Sequence, residues 1–323
     1  MNRLKGNYHT AMPILVGKEL GAHMQSWRFL ILVLLIILTF VTSMYVSFTN
    51  LRSAVSNMQD PDKSFVYLKL LTTTDNSIPP FHVFLNFLAP LLGISLGFDA
   101  INSEQNNGTL TRLIAQPIYR DNLLLSKFAS SLILIASLFL VLVLLMVGGG
   151  LLATGVGIEV QEVLRIFGFW LISVVFVGFW LSLAILLSVK FKQAATSALV
   201  AIGIWLFFTV FFPIVVNLLV RSFLPSPRMM SEAEILYYNE LISTVMRLSP
   251  GQLFSDASTT LLMPSVRSLG PLTMEQMIGA IPAPLPFKES VMIVWPQVSG
   301  LIAATCLCFA WTYASFMRRE IRS

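Results

Sequence analysis

The chain has 323 residues, of which 56% are hydrophobic and 11% charged, and it carries a formal net charge of +5. A soluble domain is about a quarter charged, so this composition excludes an ordinary soluble enzyme and makes the bilayer the natural solvent. The basic residues form no stripe interleaved with aromatics, which argues against a nucleic-acid partner. They fit instead the Lys- and Arg-rich cytoplasmic loops of membrane proteins.

Residues 1–28 are of mixed character and too long a lead for a cleavable signal peptide. Within them, 10–28 alternates Ile14, Leu15, Leu20, Met24 and Trp27 with Lys18, Glu19, His23 and Arg28. That pattern predicts a short amphipathic helix lying on the inner leaflet. A hydrocarbon core about 30 Å thick takes about 20 helical residues to cross. Six uncharged stretches meet or approach that length: 29–48, 81–98, 128–158, 166–189, 193–220 and 291–317. The second is the shortest and holds His82, Asn86 and Pro90. In the third, Gly148, Gly149, Gly150, Gly155 and Gly157 mark an exit turn. With a cytoplasmic N-terminus, twelve of the 21 basic residues fall inside and eleven of the 16 acidic residues outside, so both termini are expected in the cytoplasm.

The expected fold is therefore an all-α integral membrane protein with six spans and both ends inside. The division is 1–28, a cytoplasmic N-terminus with the amphipathic helix; 29–220, spans one to five; 221–290, an extracellular segment; and 291–323, span six and a basic tail. In the extracellular segment, 231–248 reads as a helix capped by Ser231, with Glu232 and Glu234 in its first turn and Pro250 past its end. Pro264, Pro271, Pro282, Pro284 and Pro286 then mark irregular chain.

Most motif-like strings are structural. Gly93-Ile-Ser-Leu-Gly97 matches G-x-S-x-G, but a nucleophilic serine needs a strand-to-helix elbow and His and acid partners. Inside an apolar helix the same glycines form G-x-x-x-G, which lets a second helix approach closely. Leu248-Ser-Pro-Gly-Gln252 only echoes an ATPase signature, and no G-x-x-x-x-G-K-[ST] loop occurs. Any nucleotide must be handled elsewhere. The sequon at Asn107 falls on the cytoplasmic side, and Cys306 and Cys308, two apart on a helix, face different ways. Three scattered histidines give no metal-ligand spacing. The spans carry no Asp, Glu, Lys or Arg, which argues against a proton-coupled carrier and leaves energy to come from outside the chain.

The inner loop, 98–127, is the richest segment. Gly108 can end the helix continuing from span two. Thr109 can cap a short helix over 110–115, and Pro117 ends it. Asp121 can cap the helix leading into span three, which leaves Lys127 at headgroup level. Leu110, Leu113 and Ile114 are then available to dock a partner. Glu104 either pairs with Arg112 or Arg120 or is solvated.

This loop resembles the segment after the second span in ABC type-2 transporter permeases, through Glu104, Gly108, Thr109, Leu110, Leu113, Pro117, Arg120 and Lys127. Lys18-Glu19-Leu20 and Arg28-Phe29 look like that family's elbow helix. The resemblance implies that Gly108, Thr109, Leu110, Leu113, Ile114, Pro117 and Arg120 couple to a separate ABC ATPase dimer that holds ATP and magnesium. It implies that Glu104 serves a gate or coupling role, and that a second permease copy or homologous permease completes the pathway. It further implies export of a hydrophobic or amphipathic substrate across a prokaryotic cytoplasmic membrane, with lipid around the spans and no cofactor on this chain. The rival readings are a secondary carrier or channel, an intramembrane enzyme using Ser95, and a membrane scaffold whose partner surface is 221–290.

Overall fold

A computed structural model describes residues 8–56, 65–73, 78–109, 120–223, 232–266, 269 and 284–318. Among them every regular element is helical. In chain order these are α1 (Tyr8–Met24), α2 (Trp27–Ser56), α3 (Val66–Thr72), α4 (Phe81–Gly97), α5 (Asn102–Asn106), α6 (Arg120–Thr154), α7 (Val160–Lys190) and α8 (Ala194–Leu206). A π-helical turn, Phe207–Phe211, then leads into α9 (Phe212–Phe223), followed by α10 (Glu232–Met246), α11 (Pro250–Leu262) and α12 (Phe287–Arg318). The six stretches long and apolar enough to cross a membrane are those read from sequence: α2, α4, α6, α7, α8 continued through the π turn into α9, and α12.

The hub is α7. Its apolar window is 78% covered by other parts of the chain, against 17% for each of the fifth and sixth spans, so the bundle is built around span four. The G-x-x-x-G of α4 faces it. A β-carbon on Gly93 would stand 2.8 Å from the Val177 carbonyl oxygen, and one on Gly97 would stand 2.8 Å from the Ala184 β-carbon. Two backbones meet here because neither position has a side chain, the packing that membrane helices use in place of a hydrophobic driving force.

Two local expectations are corrected. Gly148, Gly149 and Gly150 do not form an exit turn, because α6 runs through them to Thr154. Gly150 instead admits the Tyr67 ring, which a β-carbon would meet at 2.7 Å. The helix ends one turn later at Gly155, whose φ of +67° suits a residue without a β-carbon. Pro250, expected only to follow a helix, opens one: it is the first residue of α11, where its missing N–H costs nothing.

That second helix changes the picture of the segment before span six. α11 is wedged into the bundle against α7, α12 and α4. Its Phe254 is fully buried and stacks on Phe176 of α7, with centroids 4.4 Å apart and planes at 7°. Its polar residues turn inward onto backbone: Ser258 Oγ donates to the Phe254 carbonyl at 2.7 Å and Thr260 Oγ1 to that of Asp256 at 3.0 Å. Arg165 of α7, wholly buried, fixes the end of the wedge. It donates to the carbonyls of Leu261 (3.0 Å) and Leu285 (2.6 Å) and to Ser290 Oγ (3.1 Å). One turn earlier, the buried Glu162 carboxylate accepts from Tyr67 N–H (2.8 Å) and Glu159 N–H (3.1 Å), tying α3 to the start of α7. Ser231, the expected cap of α10, lies outside the described residues.

The α4–α7 seam gives a direct test. Gly93→Ile forces a branched side chain against backbone that cannot rotate away, and overpacking of this kind costs about 1–3 kcal/mol. The midpoint of thermal unfolding in detergent should fall by several degrees. Gly203→Ala, where a β-carbon meets nothing within 4 Å, should leave that midpoint unchanged or raise it.

Candidate functional site

At the C-terminal end of α4 the chain gathers its charges. α4 stops at Gly97, and Ser188 of α7 catches the turn that follows, its Oγ accepting from Ile101 N–H (2.9 Å) and Asn102 N–H (3.2 Å). This holds α5 against the base of span four. α5 ends at Asn106, and Gly108, two residues on, turns the chain away with a φ of +68°, as its residue type predicts. Thr109 turns its hydroxyl back, Oγ1 donating to the Glu104 carbonyl at 3.1 Å. Leu110, Leu113, Ile114 and Pro117 lie outside the described residues. Chain resumes at Arg120, half-buried at the start of α6, where Asp121 Oδ1 accepts from Asn122 N–H at 3.0 Å.

The two stems of that loop are joined by a buried ion cluster. Lys127 Nζ of α6 lies 2.8 Å from Glu104 Oε1 and 3.1 Å from Glu19 Oε2 of α1. Side-chain exposures are 6%, 13% and 9% for Lys127, Glu104 and Glu19, so all three sit largely out of water. From sequence, Lys127 is expected among headgroups and Glu104 either beside Arg112 or Arg120 or solvated. The cation that meets Glu104 here is Lys127, because the stems run close enough for α6 to bring it inward. Lys18, by contrast, is more than half exposed and only flanks Glu19, at 3.6 Å.

α1 runs alongside the first turns of α6 in the same direction. Glu19 meets Lys127, and one turn on in both helices His23 Nε2 meets Ser131 Oγ at 3.3 Å. Steps of four residues on both helices keep both pairs on one face. Burial pushes the His23 imidazole below its usual pKa, with Glu19 opposing and Lys127 adding to the effect. The polarity of α1 is not that of a simple amphipathic helix. Its covered face holds Leu15 and Glu19, while Ile14 and Met24 are exposed.

A fourth contact closes the ring. Arg28, at the start of α2, places Nη1 2.6 Å from Asp99 Oδ2 and its guanidinium 4.9 Å from the centre of the Phe98 ring. Together these groups line a cavity of about 250 Å³, with Lys18, Arg28 and Lys127 balancing Glu19, Asp99 and Glu104. Ser95 reaches the same cavity, but the His23 ring is engaged with Ser131. Among the described residues no group of three His, Cys, Asp or Glu could hold a metal ion. The arrangement offers no activated nucleophile. It can act mechanically, since it ties α1, the base of α2, the end of α4 and the start of α6 into one unit.

Asp99, Ser188 and His23 were missed from sequence. The signal for His23 was present, because Glu19/His23 and Lys127/Ser131 share the same four-residue step. Nothing in the sequence pairs Ser188 with a turn 87 residues away.

Comparison with known proteins agrees with this architecture. A family model described as ABC-2 family transporter protein matches residues 14–321. The chain is 29% identical over 240 residues to the probable ABC transporter permease protein NosY of Stutzerimonas stutzeri, an alignment covering 72% of this chain and 76% of that protein. It is 34% identical over 132 residues to the protein of the same name from Pseudomonas aeruginosa, covering 39% of this chain and 46% of that one. With the family match running over nearly its whole length, the chain belongs to the ABC-2 family of transporter proteins, as a multi-span component of a cell membrane.

Proposed function

We propose that this membrane subunit is driven through the segment Gly108–Arg120 by a separate ATPase dimer that holds ATP and magnesium, and that it exports a hydrophobic or amphipathic substrate. The observation that carries the proposal is the buried Lys127–Glu104–Glu19 cluster, since it bridges the two stems of that segment and adds α1. A push on Gly108, Thr109, Leu110, Leu113, Ile114 or Pro117 would reach Glu104 on one stem and Lys127 on the other. Lys127 would pass it to Glu19 and α1, and Asp99 would pass it to Arg28 and span one. Glu104 then serves coupling as one jaw of a clamp.

The orientation that places this cluster in the cytoplasm is part of the proposal. So is the role of α1 as an elbow, with exposed Ile14 and Met24, and Trp27 at the start of α2, turned to lipid and Lys18 to headgroups. The uncharged spans favour an apolar route for cargo, formed between this chain and a second copy or a homologous permease. Any coupling of this kind needs the ATPase to contact two states of the loop differently.

Three measurements test this reading. The chain should co-purify with an ATPase, and Leu113→Asp should abolish its stimulation of ATP turnover while leaving the spans folded. Lys127→Met strands two buried carboxylates, a loss of about 3–5 kcal/mol. It should lower the unfolding midpoint and uncouple ATP turnover from transport, whereas Lys127→Arg should retain most of both. A cysteine introduced at Asn107 should be labelled only by reagents that reach the cytoplasm; labelling from the opposite face of sealed vesicles would overturn the orientation and the docking together.

A further inference from the structure

At the end of the bundle away from the ion cluster lies a second cavity, of about 260 Å³, between the start of α4, the π turn and the α10–α11 junction. Phe87, Phe208 and Met246 form its apolar wall, and Asn86, Thr209, Ser249 and Gln252 its polar one. No charged side chain among the described residues lines it. Asp256, one turn past Gln252, is met instead by Arg247 Nε at 3.2 Å.

The polar wall has acceptors to spare. Asn86 Oδ1 is shielded from solvent and receives no hydrogen bond from the protein. Room beside it exists because residue 251 is glycine: a β-carbon there would stand 3.3 Å from that oxygen. Gln252 Nε2 is committed to Asp256 Oδ1 at 2.6 Å, which leaves Oε1 as an acceptor. Pro213, also on the wall, has no N–H to give to the carbonyl one α-turn back, that of Thr209, and the helix widens into its π turn just before it. A donor on a bound molecule can pair with such acceptors in place of water, a contact that contributes about 0.5–1.5 kcal/mol net.

We infer that this cavity is a binding site for a neutral amphipathic molecule, its apolar body against Phe87 and Phe208 and an O–H or N–H donor directed at Asn86 and the opened π turn. The described lining offers no charge to pair with an ion, and the apolar wall disfavours small polar solutes. The site stands on the cavity alone, independently of how an ATPase docks, and it is tested on this chain without nucleotide.

The purified protein in nanodiscs is photolabelled with a diazirine-bearing decanol and, in parallel, with its methyl ether, which keeps the apolar body and loses the donor. The alcohol should label peptides containing residues 83–87, 208–213 or 246–255 about tenfold more than the ether, the size of one hydrogen bond. Excess unlabelled decanol should compete that labelling away. Asn86→Leu should bring the alcohol down to the ether, and Gly251→Leu, which fills the cavity, should suppress both. Equal labelling by the two probes on the unmutated protein overturns the inference. So does labelling that excess decanol does not displace, or that falls on exposed span residues such as Leu199 and Leu218. These arms need no variant to fold.

Discussion

The Lys127 ammonium, held out of water between two carboxylates, is the constraint around which this end of the bundle is arranged. Removing such an ion from water costs several kcal/mol even after relaxation, and only close, well-aligned counter-charges offset it. Here the offset comes from Glu104 beyond α4 and Glu19 of α1, which lie far apart in sequence. Neither stem of the loop can withdraw without leaving a buried charge uncompensated. The cluster therefore ties α1, α5 and the start of α6 together, and on the proposed mechanism a push on the loop would move them as a set.

What such a movement would meet next is the glycine seam. Gly93 and Gly97 set α4 directly on the backbone of α7, with no flexible side chain to absorb a displacement. A close-packed contact of this kind transmits strain and does not damp it. At the far end, Arg165 locks α11 and the approach to α12 onto α7 through three hydrogen bonds. The ion cluster, seam and arginine latch form a continuous line of hard contacts through the most buried spans, while the first and fifth spans present exposed apolar faces along their length.

The spans were legible because bilayer thickness and helical rise fix their length, and no tertiary information is needed to count apolar residues. Gly108 was legible for a similar reason: a helix break needs a residue tolerant of positive φ, and the sequence offers one there. The burial of Lys127 was not legible. A lysine just before a span ordinarily snorkels, and only the approach of α1, set by pairings 108 residues apart, turns it inward. The wedge helix α11 was equally hidden. The polar run over 255–260 carries no apolar stripe that announces a buried helix, yet Ser258 and Thr260 bond carbonyls of their own helix and leave Phe254, Ala257 and Leu261 to pack. The glycines of α6 misled because a glycine run reads as a turn whether it ends a helix or admits a neighbouring ring.

The distribution of polar groups follows from one economy of desolvation. A charge at the centre of a bilayer is expensive, and the penalty falls toward the interfaces. This chain keeps its spans free of acids and bases between the two ends, and concentrates its specific polar contacts at Glu19–Lys127 on one side and Glu162–Arg165 on the other. Between them, contact is made by Phe176 on Phe254, by the glycine seam, and by two bonds to backbone, Trp170 Nε1 to the Ala136 carbonyl at 3.0 Å and Thr312 Oγ1 to the Ser182 carbonyl at 3.2 Å, while Ser173 and Ser182 turn their hydroxyls onto their own helix at 2.7 Å. Dispersion sets how closely such surfaces approach but discriminates weakly among registers, so registration comes from the ends and from these two bonds. A membrane subunit built this way is indexed at both ends and at two backbone carbonyls between them, so that α6 and α12 are each held in register on α7 by a bond inside the bundle.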